Sequence, residues 1–166
     1  MTLKLKIVLI MLVSLVVMDT ALGAVYESAK GYRIKGPQGW EKILNFQGTD
    51  VAFFNINGEN VNVVSKKVRK NTNAEIERAA TIAGMKRNFD TYRVLSQGRI
   101  NLDGVKATTL SYTFEMGYPS QVLRGYQVCS VRKGFVYFIT CTAPTTTYKR
   151  NQFAFNTALK SYRWTK

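Results

Sequence analysis

The stretch Phe135–Thr142 constrains the fold more than any other part of this chain, because a strand there is apolar on both sides. Phe135, Tyr137, Ile139 and Cys141 point to one face, and Val136 and Phe138 point to the other. Val51 and Phe53 oppose Ala52, Phe54 and Ile56 in the same way. A sheet covered on one face only would leave several of these groups in water, each at a cost of roughly 1.5–3 kcal/mol. Both faces must therefore be covered, and the sequence has two segments that can do it.

The first covering segment follows Thr72 and Glu75, which have the Ser/Thr-x-x-Glu capping-box spacing, so a helix is expected to start near Asn73. Ile76, Ala79, Ala80 and Ala83 then recur at helical spacing, and Gly84 weakens the helix towards its end. The second runs from about Thr147 to Ser161. Phe155, Ala158, Leu159 and Tyr162 fall at i, i+3, i+4 and i+7, an aromatic-rich stripe. Both stripes read as contacts onto the sheet.

Turn dipeptides order the strands between these helices. Tyr32–Lys35 is a short first strand closed by Gly36-Pro37 and Gly39. Asp50–Asn57 and Asn60–Arg69 flank Asn57-Gly58, and Tyr92–Asn101 and Val105–Met116 flank Asp103-Gly104. Gln121–Val131 and Phe135–Thr142 turn around Arg132-Lys133-Gly134. Hairpins of this kind make antiparallel neighbours, whereas parallel ones need long crossovers. The expected fold is α+β, an α/β/α sandwich with a central, mostly antiparallel sheet of about six or seven strands and a helix on each face.

Residues 1–23 stand apart. Lys4 and Lys6 precede an apolar run over Ile7–Met18, and Ala21-Leu22-Gly23 presents small residues for cleavage before Ala24. That is the layout of a secretory signal peptide, and the run of about 12 residues is shorter than the roughly 20 needed to span a bilayer. No linker or repeat interrupts residues 25–166, so residues 24–166 read as one domain in a periplasmic or extracellular protein. Of the 24 Lys+Arg and 10 Asp+Glu, Lys4, Lys6 and Asp19 lie in the leader, which leaves the domain at net +13. Such a charge steers a protein towards polyanions. Export points away from nucleic acid and towards an acidic protein or an anionic envelope surface, with peripheral membrane association as one form of the latter.

The chain has no histidine, which removes Ser-His-Asp and Cys-His catalysis and every His-containing zinc site. The domain's carboxylates (Glu27, Glu41, Asp50, Glu59, Glu75, Glu77, Asp90, Asp103 and Glu115) are scattered, and no phosphate-cradling glycine loop, EF-hand or serine elbow occurs. We expect no catalytic residues, no cofactor and no metal. Cys129 and Cys141 lie on consecutive strands in a chain expected in a disulfide-permissive compartment. A two-residue turn at Lys133-Gly134 would pair Cys129 with Phe138 and put Cys141 on the opposite face. A three-residue turn would pair Cys129 with Ile139 and make Cys141 a diagonal neighbour, near the roughly 7 Å limit for a bridge. Either a disulfide or two buried free thiols fits the sequence. The densest basic cluster is Lys66, Lys67, Arg69 and Lys70, at a strand exit just before the first helix. It reads either as a solvated strand end or as the contact surface for an anionic partner, with Arg132-Lys133 and Lys149-Arg150 as further candidates. Trp40 and Trp164 read as packing anchors for chain ends.

The opening Gly31-Tyr32-Arg33-Ile34-Lys35-Gly36-Pro37-Gln38-Gly39-Trp40 resembles the start of PsbP-like domains. The closing hairpin Gly134–Thr142, followed by a helix ending Ser161-Tyr162, is similar to their end. The resemblance, to exported bacterial domains of the PsbP/DcrB type, covers residues 25–166. It implies an α/β/α sandwich around an antiparallel sheet and a binding or assembly function without catalytic residues. The leading expectation is an exported binding module. A photosystem-associated extrinsic subunit and an envelope hydrolase working without histidine are the alternatives.

Overall fold

A computed structural model of the chain describes residues 23–166; the expected signal peptide lies outside the described residues but for Gly23. Ten strands and two α-helices follow in order: β1 (Val25–Ser28), β2 (Tyr32–Lys35), β3 (Glu41–Leu44), β4 (Val51–Phe54), β5 (Asn60–Lys67), α1 (Ala74–Asn88), β6 (Arg93–Leu102), β7 (Val105–Met116), β8 (Gln121–Arg132), β9 (Phe135–Pro144), α2 (Thr145–Ser161) and β10 (Arg163–Trp164). Seven strands form one antiparallel sheet in the order β3-β4-β5-β9-β8-β7-β6. The expected α+β sandwich is the fold observed.

Two turn dipeptides set the register of its long hairpins. Asp103 and Gly104, and likewise Lys133 and Gly134, all have positive φ, the backbone of the two-residue turn whose twist matches the flanking strands. Leu102 therefore faces Val105, and Arg132 faces Phe135. The second register decides the cysteine question. Cys129 pairs with Phe138 and Cys141 with Tyr126, so the thiols point to opposite faces, and both are buried and free. Of the two arrangements the sequence allows, this register has two buried free thiols. Asn57-Gly58 also sits in a hairpin, but β4 ends at Phe54 and a longer loop follows. There the Asn55 side chain accepts from the Asn57 and Glu59 amides, and Ile56 projects fully into solvent at the tip instead of continuing the strand.

On one face of the sheet, Val61, Val63, Val128, Tyr137, Ile139 and Cys141 pack against Phe155 and Ala158 of α2 and Tyr162 just after it. The α2 stripe is buried as expected, with Leu159 half-buried at its edge. Sharing this face is a feature without a clear sequence signal, a three-stranded sheet in the order β1-β2-β10. It contains Tyr32–Lys35, so that segment is not part of the main sheet. Tyr32 is fully buried in it, stacked on Tyr162 at 5.4 Å, and its hydroxyl donates to Asp50 Oδ2 at 2.9 Å. Both tryptophans are anchors. Trp40 meets Phe155 edge-on at 6.0 Å, and Trp164 packs on Tyr137 and Tyr162 while its indole N–H donates to the Leu102 carbonyl at 2.9 Å.

Helix α1 covers the other face, with two corrections to the expected details. Its cap is Asn73, whose side chain accepts from the Ile76 amide at 3.0 Å; Thr72 does not cap it. The expected stripe is also on the wrong side, since Ile76, Ala79, Ala80 and Ala83 are all exposed. Ile82 and Met85, with Phe89 just after the helix, pack instead on Tyr92, Leu110, Tyr112 and Phe114. Three of the four expected positions are alanines with little area to bury, so Ile82, Met85 and Phe89 together choose the face and leave Ile76 outside. Arg78 adds a polar tie by donating to the Gly98 carbonyl at 3.0 Å.

Candidate functional site

Chain direction brings several basic segments to one end of the sheet. Strand β5 ends there at Lys67, which faces Phe135, and the amide of Val68 donates to the Gly134 carbonyl at 2.9 Å. The basic stretch after β5 is thus fastened to the β8–β9 turn that carries Lys133. The β6–β7 turn closes beside it, with Lys106 next to Ala107, which pairs with Ser130. The start of α1 completes this end. Lys67, Arg69, Lys70, Lys106 and Lys133 are all exposed. Asp50, Glu75, Glu77 and Asp103, towards the same end, each already have a basic partner: Lys30, Arg78 and Arg99, Lys66, and Arg163 respectively. Hydrogen bonds from Arg99 first, then the charge of Arg78, hold the Glu75 carboxyl below its ordinary value. Paired carboxylates offset little of the field of the remaining lysines, so this end is a positive pole.

The four residues singled out from sequence separate in the structure. Lys67, Arg69 and Lys70 belong to the pole. Strand alternation turns Lys66 towards α1, where its ammonium lies 3.7 Å from Glu77 and 5.5 Å from the centre of the Phe138 ring. Arg132 has a structural position, stacked on Trp164 at 4.9 Å and donating to the Thr165 carbonyl at 3.3 Å. Lys149 and Arg150 lie at the opposite end, because α2 starts where β9 leaves the far side of the sheet. Sequence reasoning missed Lys106, whose place follows only from the β6–β7 turn.

An open groove of about 800 Å³ runs between the start of α1 and strands β6 and β7, lined among others by Asn73, Arg99, Asn101, Lys106, Thr108 and Val131. Lys106 and the amides of Asn73 and Asn101 suit an anionic group at the edge of the pole, while Arg99 is already paired with Glu75 on the same wall. Among the described residues no three His, Cys, Asp or Glu side chains are grouped to hold a metal ion, and no helix is long and apolar enough to cross a membrane. The thiols are poor nucleophiles as placed. Burial above all pushes Cys129 up to about 12, and burial also raises Cys141, while nucleophilic chemistry needs the thiolate.

Comparison with solved structures places this architecture among known ones. The solution structure of CyanoP, the cyanobacterial PsbP of Synechocystis sp. PCC 6803, superposes with a TM-score of 0.67 at 16% identity, covering 87% of this chain and 93% of that one. LpqN of Mycobacterium tuberculosis, described as involved in cell envelope biogenesis, gives 0.65 at 12% identity, covering 87% and 86%. The Ran-binding protein Mog1p of Saccharomyces cerevisiae gives 0.57 at 7% identity, covering 84% and 94%. At these identities the likeness is one of fold. No curated protein matches the chain by sequence. The sequence profile of one family, however, matches residues 20–164, almost the whole of the domain described above, and on that match the chain belongs to the PsbP family.

Proposed function

We propose that this protein is an exported, non-catalytic binding or assembly module that docks its basic pole onto an anionic surface of the cell envelope. The observation that carries this reading is the convergence of Lys67, Arg69, Lys70, Lys106 and Lys133 at one end, where the nearby carboxylates are already paired. The apolar leader with its Ala-Leu-Gly site supports a periplasmic or extracellular location. Membership of the PsbP family is consistent with an extrinsic, non-catalytic protein. For the hydrolase alternative, Ser111 and Ser130 are buried without any hydrogen-bonding partner, hence without a base, and Ser65, whose hydroxyl donates to Asp50 beside Lys30, is itself only 9% exposed. The likeness to CyanoP supports the photosystem-associated alternative at the level of fold, and co-purification with a photosystem would favour it.

Docking of this kind is sensitive to salt, because screening shortens from about 10 Å at 0.1 M to about 3 Å at 1 M. Retention on envelope fractions should therefore fall steeply between those concentrations. Replacing Lys67, Arg69, Lys70 and Lys133 with Glu should abolish it while leaving the melting temperature nearly unchanged, since all four are exposed. Retention that ignores both salt and the substitutions would remove the electrostatic reading. Retention lost on removing acidic envelope proteins, with lipid and polymer left intact, would move the partner to an acidic protein.

A further inference from the structure

Away from the pole, on the sheet face covered by α2, lies a small cleft of about 240 Å³ between the helix and strands β6–β8. Its floor is Ser111 and Arg124, its walls include Tyr126 and Tyr148, and Gln152 and Asn156 stand one helical turn apart on its rim. Two polar atoms here have no partner. The Ser111 hydroxyl, in a residue only 2% exposed, makes no hydrogen bond, and neither does the buried Nε of Arg124. Arg124 is in none of the ion pairs among the described residues. Its guanidinium instead stacks over the Tyr148 ring at 4.4 Å.

A half-buried cation without a counter-charge, beside a buried hydroxyl without a partner, is an expensive arrangement unless something else satisfies it. Stacking on Tyr148 fixes the plane of the guanidinium, and no hydrogen bond or ion pair among the described residues engages its N–H groups. Its N–H edge matches a planar carboxylate, which accepts two parallel hydrogen bonds from it. The Ser111 hydroxyl and the amides of Gln152 and Asn156 then remain for a second polar group. The volume is below the roughly 300–1,000 Å³ of sites that take drug-sized ligands, so the occupant is compact. The net positive charge of the chain disfavours a ligand that also carries an amine.

We propose that this cleft is a binding site for a small carboxylate bearing one further hydrogen-bonding group, with Arg124 receiving the carboxylate and Ser111 the second group. The inference is independent of the basic pole. Its test is an NMR titration of the ¹⁵N-labelled protein with sodium lactate at constant ionic strength, run in parallel with sodium phosphate. Lactate should give saturable shifts at Ser111, Arg124 and Tyr126 and along residues 152–156. Arg124→Met should abolish them. Ser111→Ala should weaken binding about tenfold with an unchanged melting temperature, because in the free protein that hydroxyl has no partner to lose; this variant keeps the test open should Arg124→Met fail to fold. Shifts that never saturate would overturn the proposal and leave ordered water as the partner of these atoms. Preferential saturation by phosphate, shifts confined to the basic pole, or undiminished lactate binding by Ser111→Ala would each overturn it as well.

Discussion

Replacing Phe155 by Ala tests whether α2 is a structural layer of the fold. The ring is 2% exposed, meets Trp40 edge-on at 6.0 Å and lies 5.4 Å from Tyr148. An aromatic side chain buries about 150–250 Å², worth about 4–6 kcal/mol at 25 cal/mol per Å² as an upper bound. Measured losses for such truncations are about 3–5 kcal/mol. The upper half of that range applies here, because the neighbours cannot close the gap. Trp40 is fixed behind the Pro37 turn, where its own amide donates to the Pro37 carbonyl, and Tyr148 is held under Arg124. We expect a loss of about 4 kcal/mol from a domain with about 5–15 to lose. Urea unfolding followed by far-UV circular dichroism should show a lower midpoint at unchanged slope, and thermal melting should shift down by about 8–16 °C. Truncation after Pro144 should give an aggregating or unfolded product, since it uncovers Tyr32, Ile34, Ile139 and Cys141. A loss below about 1 kcal/mol for Phe155→Ala, or a monomeric truncated protein that melts cooperatively, would refute the reasoning.

Two further predictions concern buried ionisable groups. Glu59 is 1% exposed and accepts from Asn151 Nδ2 at 3.0 Å, which ties the β4–β5 hairpin to α2. Burial by itself would raise its carboxyl, but the polar side chains of Thr147, Asn55 and Asn151 around it together hold it below the ordinary value of 4.5. Its folded value is therefore depressed, and its contribution to stability is complete above pH 4.5 and lost as the pH falls through the folded value. Glu59→Gln should be less stable than the parent at pH 7, and urea midpoints measured from pH 7 to 3 should show the gap narrowing only below about pH 4.5. A gap independent of pH would contradict this. Cys129 and Cys141 should both resist a thiol reagent at pH 8 in the native protein and both react in denaturant. Fewer than two reactive thiols after unfolding without reductant would show that a bridge forms after all.

Much of the fold is legible in the sequence wherever the signal is local. Asp103-Gly104 and Arg132-Lys133-Gly134 mark their turns, so the β6–β7 and β8–β9 hairpins are legible, although the choice between a two- and a three-residue turn in the second is settled only by the positive φ of Lys133 and Gly134. Capping and helix-face signals are weaker. Asn73 and Thr72 are both good caps one residue apart, and Ile76 with three alanines in α1 mimics a buried stripe that Ile82, Met85 and Phe89 override. Strands β1, β3 and β10 are two to four residues long, too short for alternation to stand out, and β2 joins β1 and β10 only because the chain ends meet. The positive pole is half legible. The cluster at 66–70 is visible, but alternation removes Lys66, and the turns that add Lys106 and Lys133 are distant in sequence. Arg124 has no sequence signal at all, because a lone arginine in a strand reads as an exposed one.

The most direct test of the docking account is lysine footprinting by brief acetylation, comparing the protein bound to envelope membranes with the free protein. Lys67, Lys70, Lys106 and Lys133 should be protected on binding, while Lys86 and Lys149, exposed but away from the pole, should react equally in both states. Protection centred on Lys86 and Lys149, or spread evenly over all lysines, would contradict docking through the pole.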